Sequence, residues 1–179
     1  MASLAFAWAV VRRPQITDIG ATFARVRVRV PGQRPCQRLR SSRVGVALTL
    51  GALAASKDLS CGAPFYGVNW NLFEAHELKY KAVQAHFGAE DKMEGFSDIS
   101  AAKKLHAELL GVTNEYAEVY VYPKVGHAFM NESPAPFASF EERKEKMGFP
   151  PYDAEQAELA WTRLFEFFGK HLKGLKDET

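Results

Sequence analysis

The sequence predicts an α/β fold in which a mostly parallel sheet is covered by helices on both faces. Short apolar runs of strand length alternate with longer segments of helical periodicity, and most of these runs stop at a glycine or proline. Because parallel strands need crossover connections of about a dozen residues, usually helical, this alternation favours a parallel sheet. A chain of 179 residues, 47% of them hydrophobic, can bury one core, so we predict a single folded unit.

The first predicted elements follow residue 43. Val44–Val46 has the pattern of a short buried strand, and Ala47–Ser56 is rich in alanine and leucine, which favours a helix. Two further apolar runs, Cys61–Tyr66 and Ala82–Phe87, are each closed by a glycine and predict strands.

A helix and a fourth strand are expected next. Ser97 or Asp98 can cap a helix whose apolar residues recur at three- and four-residue steps as far as Gly111. Tyr116–Tyr122 then predicts a strand that stops at a proline.

The last part of the chain predicts a long loop and a terminal helix. The loop spans residues 131–151, and its charged run Glu141–Lys146 is compatible with at least one helical turn. Asp153 and Gln156 have the spacing of a capping box. The apolar stripe that follows is strongly amphipathic and comprises Ala157, Ala160, Trp161, Leu164, Phe165, Phe168 and Leu172.

Residues 1–43 differ in character from the rest. They hold nine arginines, no lysine and a single acid, whereas the whole chain has a net charge of only +2. We interpret them as a poorly structured or targeting-like extension, in which Phe23–Val30 could form one short edge strand. A transit peptide would direct the protein to a plastid or mitochondrion; otherwise we expect a cytoplasmic protein. Nucleic-acid binding is disfavoured because Phe23 is the one aromatic residue among the arginines.

Several functions are disfavoured by composition. No run approaches the roughly 20 apolar residues of a membrane-spanning helix, so we expect a soluble protein with no membrane partner. The two cysteines, Cys36 and Cys61, have no metal or redox spacing, and no pair of histidines has the spacing of metal ligands. We therefore predict neither a metal nor a cofactor. Of the remaining histidines, His86 and His106 are expected to be structural, and His76 and His171 to be exposed.

The candidate catalytic residues are Asp91 and His127. Each follows a predicted strand in a glycine-containing loop, and the carboxyl ends of parallel strands meet at one edge of a sheet, where ligand sites lie. An aspartate followed by a histidine matches the chain order nucleophile, Asp, His of the α/β-hydrolase triad. Asp98 is an alternative to Asp91. The alternatives to catalysis are a surface histidine and a turn aspartate.

Five parts of the chain after residue 43 carry a resemblance to a known family: Ala47–Ser56, Ala63–Gly67, His86–Asp91, Tyr122–Pro123 with Gly126–Phe129, and Tyr152–Glu155 leading to Leu159–Trp161. In these stretches the chain resembles the dienelactone hydrolase family of α/β-hydrolases. The resemblance implies hydrolysis of small carboxylic esters or lactones by a Cys-His-Asp triad, with Asp91 and His127 as its acid and base.

The resemblance breaks where the nucleophile belongs. The family's G-x-C-x-G elbow should separate Val44–Val46 from Ala47, but those segments are fused and neither Cys nor Ser lies at the junction. Cys61 resembles a core residue, and no evident scaffold holds Cys36 near His127. We therefore expect residues 44–179 to form a partial, impaired hydrolase domain, and a skipped exon would explain the fusion. The alternative is a degenerate scaffold that binds a small acyl ligand or a protein partner, with an unpaired sheet edge beside Val44–Val46.

Overall fold

The computed structural model describes residues 10–12 and 44–172, and within them a small sheet is packed between helices. In chain order the elements are strand β1 (Val10–Arg12), helix α1 (Val44–Ala55), strand β2 (Leu59–Gly62), a 3₁₀ helix (Ala75–Leu78), strand β3 (Ala82–Gly88), helix α2 (Ile99–Gly111), strand β4 (Ala117–Tyr122), helix α3 (Phe140–Met147) and helix α4 (Ala154–Leu172).

The sheet has the order β1-β2-β3-β4. Strands β2, β3 and β4 are parallel, and β1 pairs antiparallel with β2. The longest ladder joins β3 to β4, from Val83 opposite Ala117 to Gly88 opposite Tyr122. The prediction of a mostly parallel sheet with helices is therefore confirmed.

The prediction of a strand at Val44–Val46 is wrong. These residues begin α1, which runs without interruption through the junction with Ala47. Helix propagation is cooperative, so the strong helix formers that follow can extend the helix backward, whereas a three-residue strand needs a partner to be stable. The expected unpaired sheet edge is also wrong, because β1 occupies the free edge of β2. The predicted strand at Phe23–Val30 lies outside the described residues.

The helices follow the predicted pattern closely. Asp98 is the N-cap of α2, where its carboxylate accepts from the backbone N–H groups of Ser100 and Ala101. Asp153 Oδ1 accepts from the N–H of Gln156 at the start of α4, and the charged run in the long loop forms α3. No helix among residues 44–172 is long and apolar enough to cross a membrane.

The core has one layer on each face of the sheet. On one face α1 and α2 pack against the odd-numbered residues of β3, and on the other α4 packs against β2, the end of β4 and the loop that follows it. The first layer is mostly aliphatic and includes Leu50, Leu53, Val83, Leu105 and Leu109; the second is rich in aromatic rings and includes Phe65, Tyr122, Phe129, Leu164 and Phe167.

His86 lies within the second layer, as expected of a structural histidine. Its Nδ1 is 2.8 Å from the hydroxyl of Tyr122, its Nε2 is 3.0 Å from Oε1 of Gln84, and its ring stacks on Phe65 at 4.1 Å. Burial, with a smaller contribution from the charge of Arg163, lowers the pKa of His86 to about 3. His76 is exposed as predicted. The predictions for the other two are wrong: His171 is half-buried, and His106, expected to be structural, is exposed on the outer face of α2.

The buried, neutral His86 predicts a loss of stability in mild acid. The unfolded chain gains a proton at this imidazole below its ordinary pKa of 6.5, and the native chain does not until the pH nears 3. The stabilisation is therefore complete above pH 6.5 and should fall by about 2 kcal/mol on going to pH 5. Between pH 7 and pH 5, we expect the free energy of unfolding, measured with urea, to fall less in His86→Gln than in the native protein. An equal drop in both proteins would contradict this assignment.

Candidate active site

The ends of β3 and β4 bring Asp91 and His127 together. Gly88 and Tyr122 are paired at these ends, and the loops that leave them stay joined by backbone hydrogen bonds. The N–H of Ala89 donates to the carbonyl of Tyr122 at 2.8 Å, and the N–H of Glu90 donates to the carbonyl of Val125 at 2.9 Å. The two loops therefore run side by side for several residues beyond the sheet.

Asp91 and His127 form a direct hydrogen bond. Nδ1 of His127 is 2.8 Å from Oδ2 of Asp91, the aspartate side chain is fully buried, and the imidazole is 21% exposed. Oδ1 of Asp91 accepts from the N–H of Met93 at 3.1 Å, which fixes the carboxylate in its turn. An ionised carboxylate can only accept hydrogen bonds, so we assign the proton to Nδ1, which leaves the lone pair of Nε2 available as a base.

Ser97 is a neighbour of the imidazole that the sequence did not identify as a site residue. Its buried Oγ is 3.3 Å from Nδ1 of His127, on the same nitrogen that faces Asp91. Among the residues that the structure describes, two oxygens thus converge on Nδ1 and none is hydrogen-bonded to Nε2, which favours a single ring orientation. Its place in the loop between Asp91 and the α2 cap was the only sequence signal.

Two aromatic rings flank His127. The ring of Tyr66 lies 5.5 Å from the imidazole and that of Phe149 lies 5.0 Å from it. The hydroxyl of Tyr66 accepts from the N–H of Met130 at 3.0 Å, which ties this ring to the histidine loop. Tyr66 and Ala128 have positive φ values of 60° and 61°, so the backbone is strained on both sides of the imidazole.

Asp98 does not contact His127. Its Oδ1 accepts from the N–H of Gly95 at 3.0 Å and of Ala101 at 3.1 Å, and its Oδ2 accepts from Ser100. Burial acts to raise the pKa of Asp98, but the hydrogen bonds from the Ser100 hydroxyl and these backbone groups hold it below its ordinary value. Asp98 is thus committed to capping α2, and the alternative role that the sequence left open for it is not supported by the geometry.

No nucleophile contacts the free nitrogen of His127 in the described part of the chain. Cys61 is fully buried in the core layer under α4, where burial raises the pKa of its thiol. Cys36 lies outside the described residues. Within residues 44–172, no thiol or hydroxyl is hydrogen-bonded to Nε2, and no cluster of His, Cys, Asp and Glu could hold a metal ion.

Strand β1 at the sheet edge runs opposite to the strands that carry the site. Arg12 at the end of β1 pairs with Leu59 at the start of β2, so β1 ends at the amino ends of the parallel strands. Asp91 and His127 lie at the opposite, carboxyl ends.

The close approach of the two loops predicts a severe effect of Gly88→Ala. A Cβ at this position would lie 2.5 Å from the carbonyl oxygen of Val125 and 2.6 Å from that of Gly126, and both are backbone atoms. We expect a loss of about 1–3 kcal/mol in the free energy of unfolding and a displaced His127 loop. Gly111→Ala is the matched control, because a Cβ there meets nothing within 4 Å. Urea unfolding and the NMR signals of the His127 ring would measure both effects; equal stabilities for the two variants would contradict the clash.

The hydrogen bond from Nδ1 to Asp91 predicts the tautomer of the neutral imidazole. We expect ¹⁵N NMR of His127 to show a protonated Nδ1 and a free Nε2, and Asp91→Asn to shift the population toward a protonated Nε2 because the charged acceptor is lost. Ser97→Ala keeps the carboxylate and should keep the native tautomer. The same tautomer in the native protein and in Asp91→Asn would show that Asp91 does not orient the ring.

The described geometry agrees with the comparison to known families. The sequence pattern of the dienelactone hydrolase family matches residues 44–172, a range that begins with α1 and ends with α4. No curated protein matches the sequence. The family match covers well over half of the 179 residues, and the chain therefore belongs to the dienelactone hydrolase family.

Proposed function

We propose that Asp91 and His127 are the acid and base of a Cys-His-Asp hydrolytic triad, and that this chain is impaired in the hydrolysis of small carboxylic esters and lactones because the cysteine is missing. The observation that carries the proposal is the 2.8 Å contact between Nδ1 of His127 and the fully buried carboxylate of Asp91. It leaves Nε2 free on a ring that is still partly exposed.

The roles of the two residues follow from this arrangement. In a complete site, Nε2 of His127 would take the proton of the attacking thiol and later activate the water that releases the acyl group. The buried carboxylate of Asp91 would hold the ring and stabilise the imidazolium as it forms. Neither residue supplies the covalent step, so the pair alone can only activate water.

The cost of the missing group is large. Triad members act as a unit, and in such sites the loss of the nucleophile costs about as much as the loss of all members, several orders of magnitude in rate. Cys61 does not replace it, because its thiol is buried with a raised pKa. An inactive chain with a correctly oriented base is therefore the expected state.

We also propose that residues 1–43 form an extension separate from the domain at residues 44–179. Two observations support this division: the family match begins at residue 44, and nine of the eleven arginines of the chain fall before α1. The strand Val10–Arg12 is then a contribution of the extension to the sheet edge.

Turnover of an activated aryl ester tests the impaired-hydrolase proposal. We expect the native chain and His127→Gln to hydrolyse the ester at the same slow rate, because a base without a nucleophile adds little. Native turnover that disappears in His127→Gln would overturn the proposal. The scaffold alternative instead predicts a ligand-dependent rise in melting temperature without turnover.

A further inference from the structure

Arg143 on α3 is a buried cation that has no carboxylate partner in the described part of the chain. The residue is 3% exposed, and its guanidinium lies over the ring of Phe140 at 4.9 Å. Its Nη2 donates to the carbonyl oxygen of Pro150 at 2.9 Å, and its Nε is buried with no hydrogen-bond partner among the described residues. Burial of an incompletely paired guanidinium lowers the free energy of unfolding, so a contribution to stability does not explain why an arginine lies at this position.

The residues that Arg143 holds lie against the candidate base. Helix α3 ends at Met147 and is capped by Gly148, whose left-handed φ of 69° stops the helix and reverses the chain direction. Pro150 packs on the backbone beside His127 so closely that a Cβ at Gly126 would be 2.6 Å from its Cδ. Between them, Phe149 places its ring 5.0 Å from the imidazole at a tilt of 34°.

Arg143 also acts on the second ring that flanks the imidazole. Its positive charge acts to lower the pKa of the Tyr66 phenol, although burial of that phenol raises the pKa by more. The ring of Tyr66 lies 5.5 Å from the imidazole of His127, and its hydroxyl accepts the hydrogen bond from the N–H of Met130. Arg143 is thus linked to both aromatic neighbours of the base without touching the base itself.

We propose that Arg143 is a positioning residue: by binding the carbonyl of Pro150 it holds the turn 148–150 closed, so that the ring of Phe149 shields His127 and limits access to Nε2. The inference rests on the proposed function in taking His127 as the base of the site. Phe149 is only half-buried, so its own contacts do not fix the ring strongly. The charged hydrogen bond from Arg143 to Pro150 is the contact that does.

Carbethoxylation by diethyl pyrocarbonate measures this access without requiring turnover. The imidazole nitrogen attacks one carbonyl of the reagent and gains an ethoxycarbonyl group, and the leaving ethyl carbonate decomposes to ethanol and carbon dioxide. Peptide mass spectrometry gives the rate for each histidine. His76 and His106 are exposed and report the reagent's general reactivity, whereas the fully buried His86 reports unfolding.

We expect Arg143→Met and Phe149→Ala each to raise the rate at which His127 reacts about tenfold. A tenfold change corresponds to the free energy of about one charge-assisted hydrogen bond. The rates of the other histidines should not change. Because Arg143 acts through Phe149, adding Arg143→Met to Phe149→Ala should change the rate little further. Arg163→Met is the matched control, since this arginine lies over the rings of Tyr120 and Tyr122 on β4.

An unchanged His127 rate in Phe149→Ala would overturn the proposal, as would a double variant whose effect is the product of the two single effects. If Arg143→Met makes His86 reactive, the variant has unfolded, and Arg143→Lys takes its place in the same cycle. Lysine keeps the charge but has a shorter reach to the Pro150 carbonyl, so a smaller rise in the His127 rate is expected, again without further effect in the Phe149→Ala background. The carbethoxylation result is independent of the ester assay. Native turnover that is lost in His127→Gln would overturn the impaired-hydrolase proposal and leave the role of Arg143 standing. An unchanged carbethoxylation rate of His127 in Phe149→Ala would overturn the role of Arg143 and leave the impaired-hydrolase proposal standing.

Discussion

The candidate site depends on the close approach of two loops where β3 and β4 end. At Gly88 the backbone of one loop lies so near the carbonyls of Val125 and Gly126 that no side chain fits between them. Two backbone hydrogen bonds hold the loops at this separation. Because parallel strands end at the same edge of the sheet, this contact is sufficient to place Asp91 and His127 within hydrogen-bond distance, although they are 36 residues apart in sequence.

The same sheet is compatible with the proposed loss of a nucleophile beside Asp91 and His127. Asp91 and His127 depend on β3 and β4, which form the longest ladder of the sheet and contribute to both core layers. The resemblance to the family implies a nucleophile between Val46 and Ala47, and the residues on both sides of that junction are helical. The edge of β2 is instead covered by β1, which runs in the opposite direction. The proposed loss of the elbow would therefore alter one edge of the sheet and leave β3 and β4 able to pack.

The sequence predicted the features that depend on residues close together in the chain, and it missed those that depend on tertiary contacts. The caps Asp98 and Asp153 and the apolar stripe of α4 identified two helices, and the glycine or proline at each strand end located the loops of the site. Val44–Val46 was misassigned because three apolar residues carry no information about whether a partner strand exists. The pairing of β1 with β2 and the positions of Ser97, Tyr66, Phe149 and Arg143 around His127 arise from tertiary contacts that no local pattern encodes.

The central claim is that a correctly oriented base remains in a chain that cannot form an acyl-enzyme. Intact-mass spectrometry after brief exposure to p-nitrophenyl acetate tests it most directly, because a covalent intermediate adds one acetyl group whether or not it turns over. The account predicts no acetylated species that depends on His127, so the native chain and His127→Gln should give identical mass profiles. One acetyl group per chain on a cysteine or serine, formed by the native protein and lost in His127→Gln, would contradict it.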